Sequence, residues 1–291
     1  MVQRCFWMRA TAGLFVTLGL ALTTTNAGAQ SPAYSSPWAV DHNARARLIA
    51  GGTPAGSAPG TIAVGVEIEL AKDWKTYWRN PGSSGVPPTL TWSNSTNLGT
   101  AEVLYPAPLR LADRDGDTIG YKGTVILPIA VKPAEPGKPV TMVVEIEYGV
   151  CKDICIPVQT RLELTMPPDT AGKPIDDLLA RALDRVPRTV DARRTNDPAL
   201  LSTKMQLAGD KPSIRLEAEY PGGAEGADLF LEAPDGLWIP MAKPDGAAKG
   251  NVATFLVDLT EGVDLRDLKG KTVRVTLVSP RGQSETTIKI E

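Results

Sequence analysis

Two cysteines, Cys151 and Cys155, stand four positions apart in Cys151-Lys152-Asp153-Ile154-Cys155. Thiols this close can form a disulfide, exchange with other disulfides, or hold a soft metal ion. A fully extended chain would keep their Cα atoms roughly 13 Å apart, beyond the ~7 Å that a disulfide spans. A bond therefore requires a turn, with 152–154 as the loop of a tight hairpin. Gly149 and Pro157 on either side are compatible with that turn, and Asp153 suits it. Opposed residues at a hairpin end approach to about 4.5–5.5 Å, within bonding range. The loop is short, so its closure stabilises less than a bond between distant segments, which weighs toward redox use. The spacing alone leaves a structural disulfide, a redox pair and a metal site all open. Zinc needs four ligands, whereas the pair is joined only by the distant His42; copper(I) accepts two thiolates. A cysteine-protease arrangement fails, because His42 sits in a polar segment with nothing to hold it beside a nucleophile, and reads as a lone surface histidine.

The compartment bears on that choice. Arg4 and Arg9 precede an apolar run over 10–22, and Ala27-Gly28-Ala29 offers the small residues of a signal-peptidase site. The expectation is an export signal over 1–29, cleaved before Gln30. The apolar run falls short of the ~20 residues of a membrane span. Cleavage leaves 29 basic against 33 acidic residues, a formal charge of −4. That balance, without a basic block, argues against nucleic acid or an anionic membrane surface as partner. It also removes Cys5, leaving an even pair in an oxidising compartment, where a disulfide is the expected state.

The elements that must position the pair read as β structure. Gly and Pro punctuate short alternating runs, and strands are expected at 45–50, 62–70, 89–92, 101–104, 124–131, 140–148 and 156–164. Their spacing suggests a β-sandwich over 45–168, after an N-terminal extension at 30–44. A helix is expected at 175–186, where Ile175, Leu178, Leu179, Ala182 and Val186 share one face and Pro174 takes the first helical position. It lies in a connector over 169–200. A second, smaller β-sandwich over 201–291 is expected from strands at 213–219, 228–232, 252–258, 272–278 and 285–290. It has no cysteine, no histidine and no catalytic constellation. The fold class is thus mainly β, with a short helical connector between two sandwiches.

The run from 73 to 164 resembles the N-terminal periplasmic domain of the DsbD thiol:disulfide interchange family, in particular its ScsB-like branch. The residues that carry the likeness are Trp74-Lys75-Thr76-Tyr77-Trp78-Arg79-Asn80-Pro81-Gly82 and Ser84-Gly85-Val86-Pro87-Pro88. Tyr105-Pro106-Ala107-Pro108, Gly120-Tyr121-Lys122-Gly123 and Tyr148-Gly149-Val150-Cys151-Lys152-Asp153-Ile154-Cys155-Ile156-Pro157 follow in order. The resemblance implies an immunoglobulin-like sandwich whose two cysteines cycle between dithiol and disulfide near one end, under a cap. It maps the attacking thiol onto Cys155, the resolving thiol onto Cys151, and the cap onto 113–121. Family members cover the disulfide with an aromatic residue of the cap. Here that stretch is Asp113-Arg114-Asp115-Gly116-Asp117, so cover is expected from Tyr121 or Trp78. Asp113, Asp115, Tyr121, Tyr77 and Trp78 are the cap and docking candidates, while Trp74, Trp78 and Trp92 also suit core packing.

Lys152 would favour a thiolate, while Asp153 and the acidic cap would oppose it. Full-length family members continue into a membrane electron-transfer domain and a thioredoxin-like domain. The expectation here is a stand-alone soluble periplasmic carrier, a thiol-disulfide oxidoreductase without cofactor or metal. Its expected partners are a separate membrane electron-transfer protein and soluble thiol-disulfide proteins. Against it stand a binding or assembly protein with a structural disulfide, and copper(I) handling by the same thiols.

Overall fold

The computed structural model describes residues 1–2, 34–112 and 116–291. The expected signal over 1–29, with Cys5 and Ala27-Gly28-Ala29, and the cap residues Asp113 and Asp115 lie outside the described residues.

Alternation of buried and exposed side chains builds the first sandwich. In Cys155–Met166 every second residue from Val158 onward is buried, so Val158, Leu162, Leu164 and Met166 face inward while Gln159, Arg161 and Glu163 face out. One sheet runs in the order Tyr34–Ser35, Ala44–Ala50, Ile62–Leu70, Thr124–Pro133, Leu98–Val103. The other runs Cys155–Met166, Val140–Cys151, Lys75–Gly82, Thr118–Lys122, Leu109–Leu111. Between them Leu48, Val66, Leu127 and Ile129 meet Met142, Val144, Ile146 and Val150 in one core. Three of the strands that frame the cysteine site, Lys75–Gly82, Leu109–Leu111 and Thr118–Lys122, fall outside the strand pattern visible in the sequence.

The connector helix spans Asp177–Asp184, two residues shorter at each end than its apolar pattern. Asp176 rather than Pro174 sets the start, because its carboxylate accepts from the Leu178 N–H at 2.8 Å and caps the first turn. Leu179 and Ala182 then bury against Ile49, Ala63 and Ile126 on the back of the first sheet.

The second β domain pairs two four-stranded sheets. One runs Arg188–Thr189, Gln283–Lys289, Thr272–Val278, Asp228–Glu232; the other runs Ala199–Gln206, Ser213–Glu219, Val252–Asp258, Lys243–Pro244. Ile214, Leu216, Leu229, Phe255, Val257, Val275 and Leu277 fill the space between them. Ala199–Gln206 is half-exposed and interrupted by a bulge between Leu200 and Ser202, which hid it from a search for alternation. Phe230 and Val278 of this domain pack into the core of the first sandwich instead of their own.

Buried tyrosines make the fold sensitive to alkali. Burial pushes the Tyr148 phenol up to about 12, with Asp41 adding to the shift, and burial holds Tyr121 well above its ordinary value. A raised folded-state pKa gives stability that is complete below the unfolded value near 10 and lost as pH rises past it. Each such phenol should cost about 1.4 kcal/mol per pH unit between pH 10 and its folded value. Urea unfolding should therefore give a level midpoint from pH 7 to about 9 and a falling one above about 10. A midpoint still level at pH 11.5 (roughly the top of the accessible range) would contradict it.

Candidate redox site

The site is built at the tip of the longest hairpin. Val140–Cys151 pairs with Cys155–Met166 without a register break, from Val140 opposite Met166 to Cys151 opposite Cys155. The loop 152–154 is closed by the Lys152 N–H donating to the Ile154 carbonyl at 3.0 Å. Cys151 and Cys155 are joined in a disulfide with Cα atoms 4.1 Å apart. The two sulfurs sit in unlike surroundings. Cys151 is 1 % exposed, whereas Cys155 is open to solvent beside Ile154, an aliphatic side chain that is 67 % exposed.

The neighbouring strand supplies the rest. Lys75 opposes Cys151 in the ladder, and Tyr77 follows two residues on, so both project from the same face. Tyr77 places its hydroxyl 3.1 Å from Cys155 Sγ, although its ring is buried. Two glycines make room for that ring. A Cβ at Gly85 would come within 2.5 Å of Tyr77 Cε1, and one at Gly149 within 3.2 Å of Cε2 and 3.6 Å of Cys151 Sγ. Gly85 also has φ +118°, a conformation that side-chain-bearing residues avoid. Tyr77 is thus wedged between two glycine backbones and aimed at the exposed sulfur.

Lys75 is buried, and its ammonium donates to Thr118 Oγ1 at 3.2 Å and lies 6.0 Å from the centre of the Tyr77 ring. Attack on Cys155 Sγ leaves negative charge on the departing Cys151 sulfur. Lys75 is the cation on the strand that opposes Cys151. Sequence reasoning named Lys152 as the residue that would favour a thiolate. The structure instead commits Lys152 to a solvent-exposed ion pair with Asp73 at 3.6 Å. Lys75 gave no signal beyond its place in the Trp-rich motif, since a lysine in an unrecognised strand reads as surface.

The other aromatic candidates are elsewhere. Trp78 and Tyr121 project from the opposite face of their strands into the core, where Trp78 is fully buried and Tyr121 donates its hydroxyl to the Pro106 carbonyl at 2.8 Å. Neither side chain faces the disulfide, and the aromatic residue in contact with Cys155 is Tyr77. Trp74 and Trp92 pack partly buried against the core. His42 is exposed and pairs with Asp41. Among the described residues, no group of three or more potential metal ligands forms, and no helix is long and apolar enough to cross a membrane.

Residues 50–167 match the family model described as thiol:disulfide interchange protein DsbD, N-terminal. Over that stretch the chain is similar to the family. The chain shares a fold with a solved structure: the N-terminal periplasmic domain of ScsB from Proteus mirabilis superposes at a TM-score of 0.65 and 20% identity. That match covers 88% of this chain and 98% of the other, so it extends past the DsbD N-terminal domain into the connector and second β domain. A conserved domain protein from Bacillus anthracis, at 11% identity, aligns over 88% of this chain and 90% of its own with a TM-score of only 0.21. No curated protein matches in sequence. The matching stretch forms the immunoglobulin-like sandwich expected from the resemblance, with its disulfide at the hairpin tip.

Proposed function

We propose that this protein is a periplasmic thiol-disulfide exchange protein, carrying electrons from a membrane reductase to soluble partners through Cys151 and Cys155. The observation that carries the proposal is the asymmetry of the pair within a DsbD N-terminal domain: Cys155 is open to solvent and Cys151 is buried behind it. The reduced Cys155 thiolate attacks a partner disulfide, forming a Cys155–partner bond and releasing one partner thiol. The Cys151 thiolate then attacks Cys155 Sγ, closing the Cys151–Cys155 disulfide and releasing the second partner thiol. Two electrons and two protons pass to the partner. The reductase restores the dithiol by the reverse exchange. Tyr77 rests its hydroxyl against Cys155 Sγ on one side, and Lys75 supplies the positive charge on the strand opposing Cys151. In this layout 1–29 is the export signal and 45–168 the exchange domain, followed by the connector at 169–200 and the second β domain at 201–291. A signal-like N-terminus and a likeness to a domain titled periplasmic support the compartment.

Mild dithiothreitol followed by thiol labelling and intact mass tests the proposal, with circular dichroism on the same samples. The expected result is two labels per chain and an unchanged β spectrum. A bond that resists the reagent, or a domain that melts when it opens, would make the disulfide structural.

A further inference from the structure

The second β domain carries no cysteine and no histidine, yet one of its strands grips strands that flank the disulfide. Asp228–Glu232 lies at the edge of its sheet, paired on one side only with Thr272–Val278. Four of its five residues meet the exchange domain. The Asp228 carboxylate accepts both arms of Arg110, at 2.9 Å from Nε and 2.6 Å from Nη2. Glu232 accepts both arms of Arg79, at 2.9 Å and 2.8 Å. The Leu231 carbonyl accepts from Asn80 Nδ2 at 2.9 Å, and the Phe230 ring lies 6.0 Å from that of Trp78. Glu285 adds a second carboxylate to Arg79 at 2.6 Å, and the Ala242 carbonyl a third acceptor to Arg110 at 2.8 Å. Bidentate guanidinium–carboxylate pairs fix direction as well as distance.

The gripped residues belong to the strands that form the site. Arg79 is two residues from Tyr77, roughly 6.6 Å along the strand. Arg110 stands on Leu109–Leu111, which pairs with Thr118–Lys122, which in turn pairs with Lys75–Gly82 through Gly120 opposite Tyr77. Arg110 also reaches Asp117 at 3.5 Å, tying the start of the central strand to the same fork. The two forks hold the outer members of a three-stranded unit whose middle strand carries the Thr118 acceptor of Lys75. We infer that the second β domain positions the redox site: through Arg79 and Arg110 it fixes the strands that set Tyr77 over Cys155. Both arginines are positioning residues, acting through Tyr77 and touching neither sulfur.

The inference rests on the exchange chemistry proposed above, and the test separates the two. In the full chain, dithiothreitol attacks Cys155, Cys151 departs, and the reagent cyclises, passing two electrons to the pair. This rate is measured in the wild type and in R79M/R110M, with hydrogen exchange followed over 75–82 and 118–122. Reduction should be about threefold faster or more in the double variant, with faster exchange in both stretches and an unchanged β spectrum. R110K, which keeps a charge for Asp228, should stay near the wild-type rate. A rate within about 1.5-fold of wild type in the double variant, or faster exchange confined to 228–232 and 283–289, would overturn the inference. Should the double variant not fold, D228N carries the comparison, and an unchanged rate and exchange pattern there would equally overturn it. If the wild-type bond cannot be opened without melting, the exchange proposal fails; if it opens equally fast in both proteins, only the positioning role fails.

Discussion

Replacing Cys151 with serine should turn a transient exchange into a trap. Cys155 is the solvent-open sulfur and Cys151 is closed to any group as large as a protein thiol. In C151S the exposed thiol still attacks a partner disulfide, but nothing resolves the mixed disulfide, which should accumulate as a band lost on reduction. C155S should give no capture at all, because the remaining sulfur is buried. Both variants should fold, since the hairpin keeps its backbone ladder from Val140–Met166 down to the tip. Non-reducing gels and mass spectrometry after mixing with an oxidised thiol-disulfide protein check the pair. Equal capture by both variants, or capture through Cys151 alone, would reverse the assigned roles.

Removing the Tyr77 ring should have the next largest effect. The ring is 3 % exposed and fills the gap between Gly85 and Gly149, so Y77A leaves a cavity that neither glycine can close. Aromatic-to-alanine changes in such places cost roughly 3–5 kcal/mol. The same change removes the ring from one side of Cys155, and dithiothreitol reduction should speed up by about an order of magnitude. Y77F keeps the ring and removes the hydroxyl with its contact to Sγ, a contact worth about 1 kcal/mol. Its reduction rate should stay close to wild type if cover dominates, and shift as far as Y77A if the hydroxyl does. Denaturant melts and stopped-flow reduction separate the two contributions. A wild-type rate in Y77A would show that the ring does not protect the sulfur.

Much of the framework was legible because its strands have one wet face and one dry one. Val140–Cys151 and Cys155–Met166 declare themselves by β-branched alternation, and the cysteine spacing demands the turn that joins them. Lys75–Gly82 does not, although its residues carried the family likeness. Its apparent surface polarity is satisfied inside the molecule: Arg79 and Asn80 bond to the second domain and Lys75 to Thr118. A polar residue whose partner lies 150 positions away in sequence looks solvated until the fold is seen. Cover on the disulfide was expected from Tyr121 or Trp78, and both turn into the core for a related reason. Adjacent aromatics on a strand point to opposite faces, and choosing between them requires the register. The signal that would have chosen was Gly85 and Gly149, two positions left bare for one ring.

The unbroken ladder above the disulfide also bounds how strongly oxidation state and folding can be linked. The bond closes a loop of only five residues, Cys151 to Cys155, whose ends the ladder already holds opposite one another. Chain-entropy reasoning for so small a loop gives at most about 2 kcal/mol of added stability. By thermodynamic reciprocity, folding then shifts the midpoint potential of the pair by no more than about 45 mV. Opening the bond should thus lower the melting temperature by no more than about 8 °C.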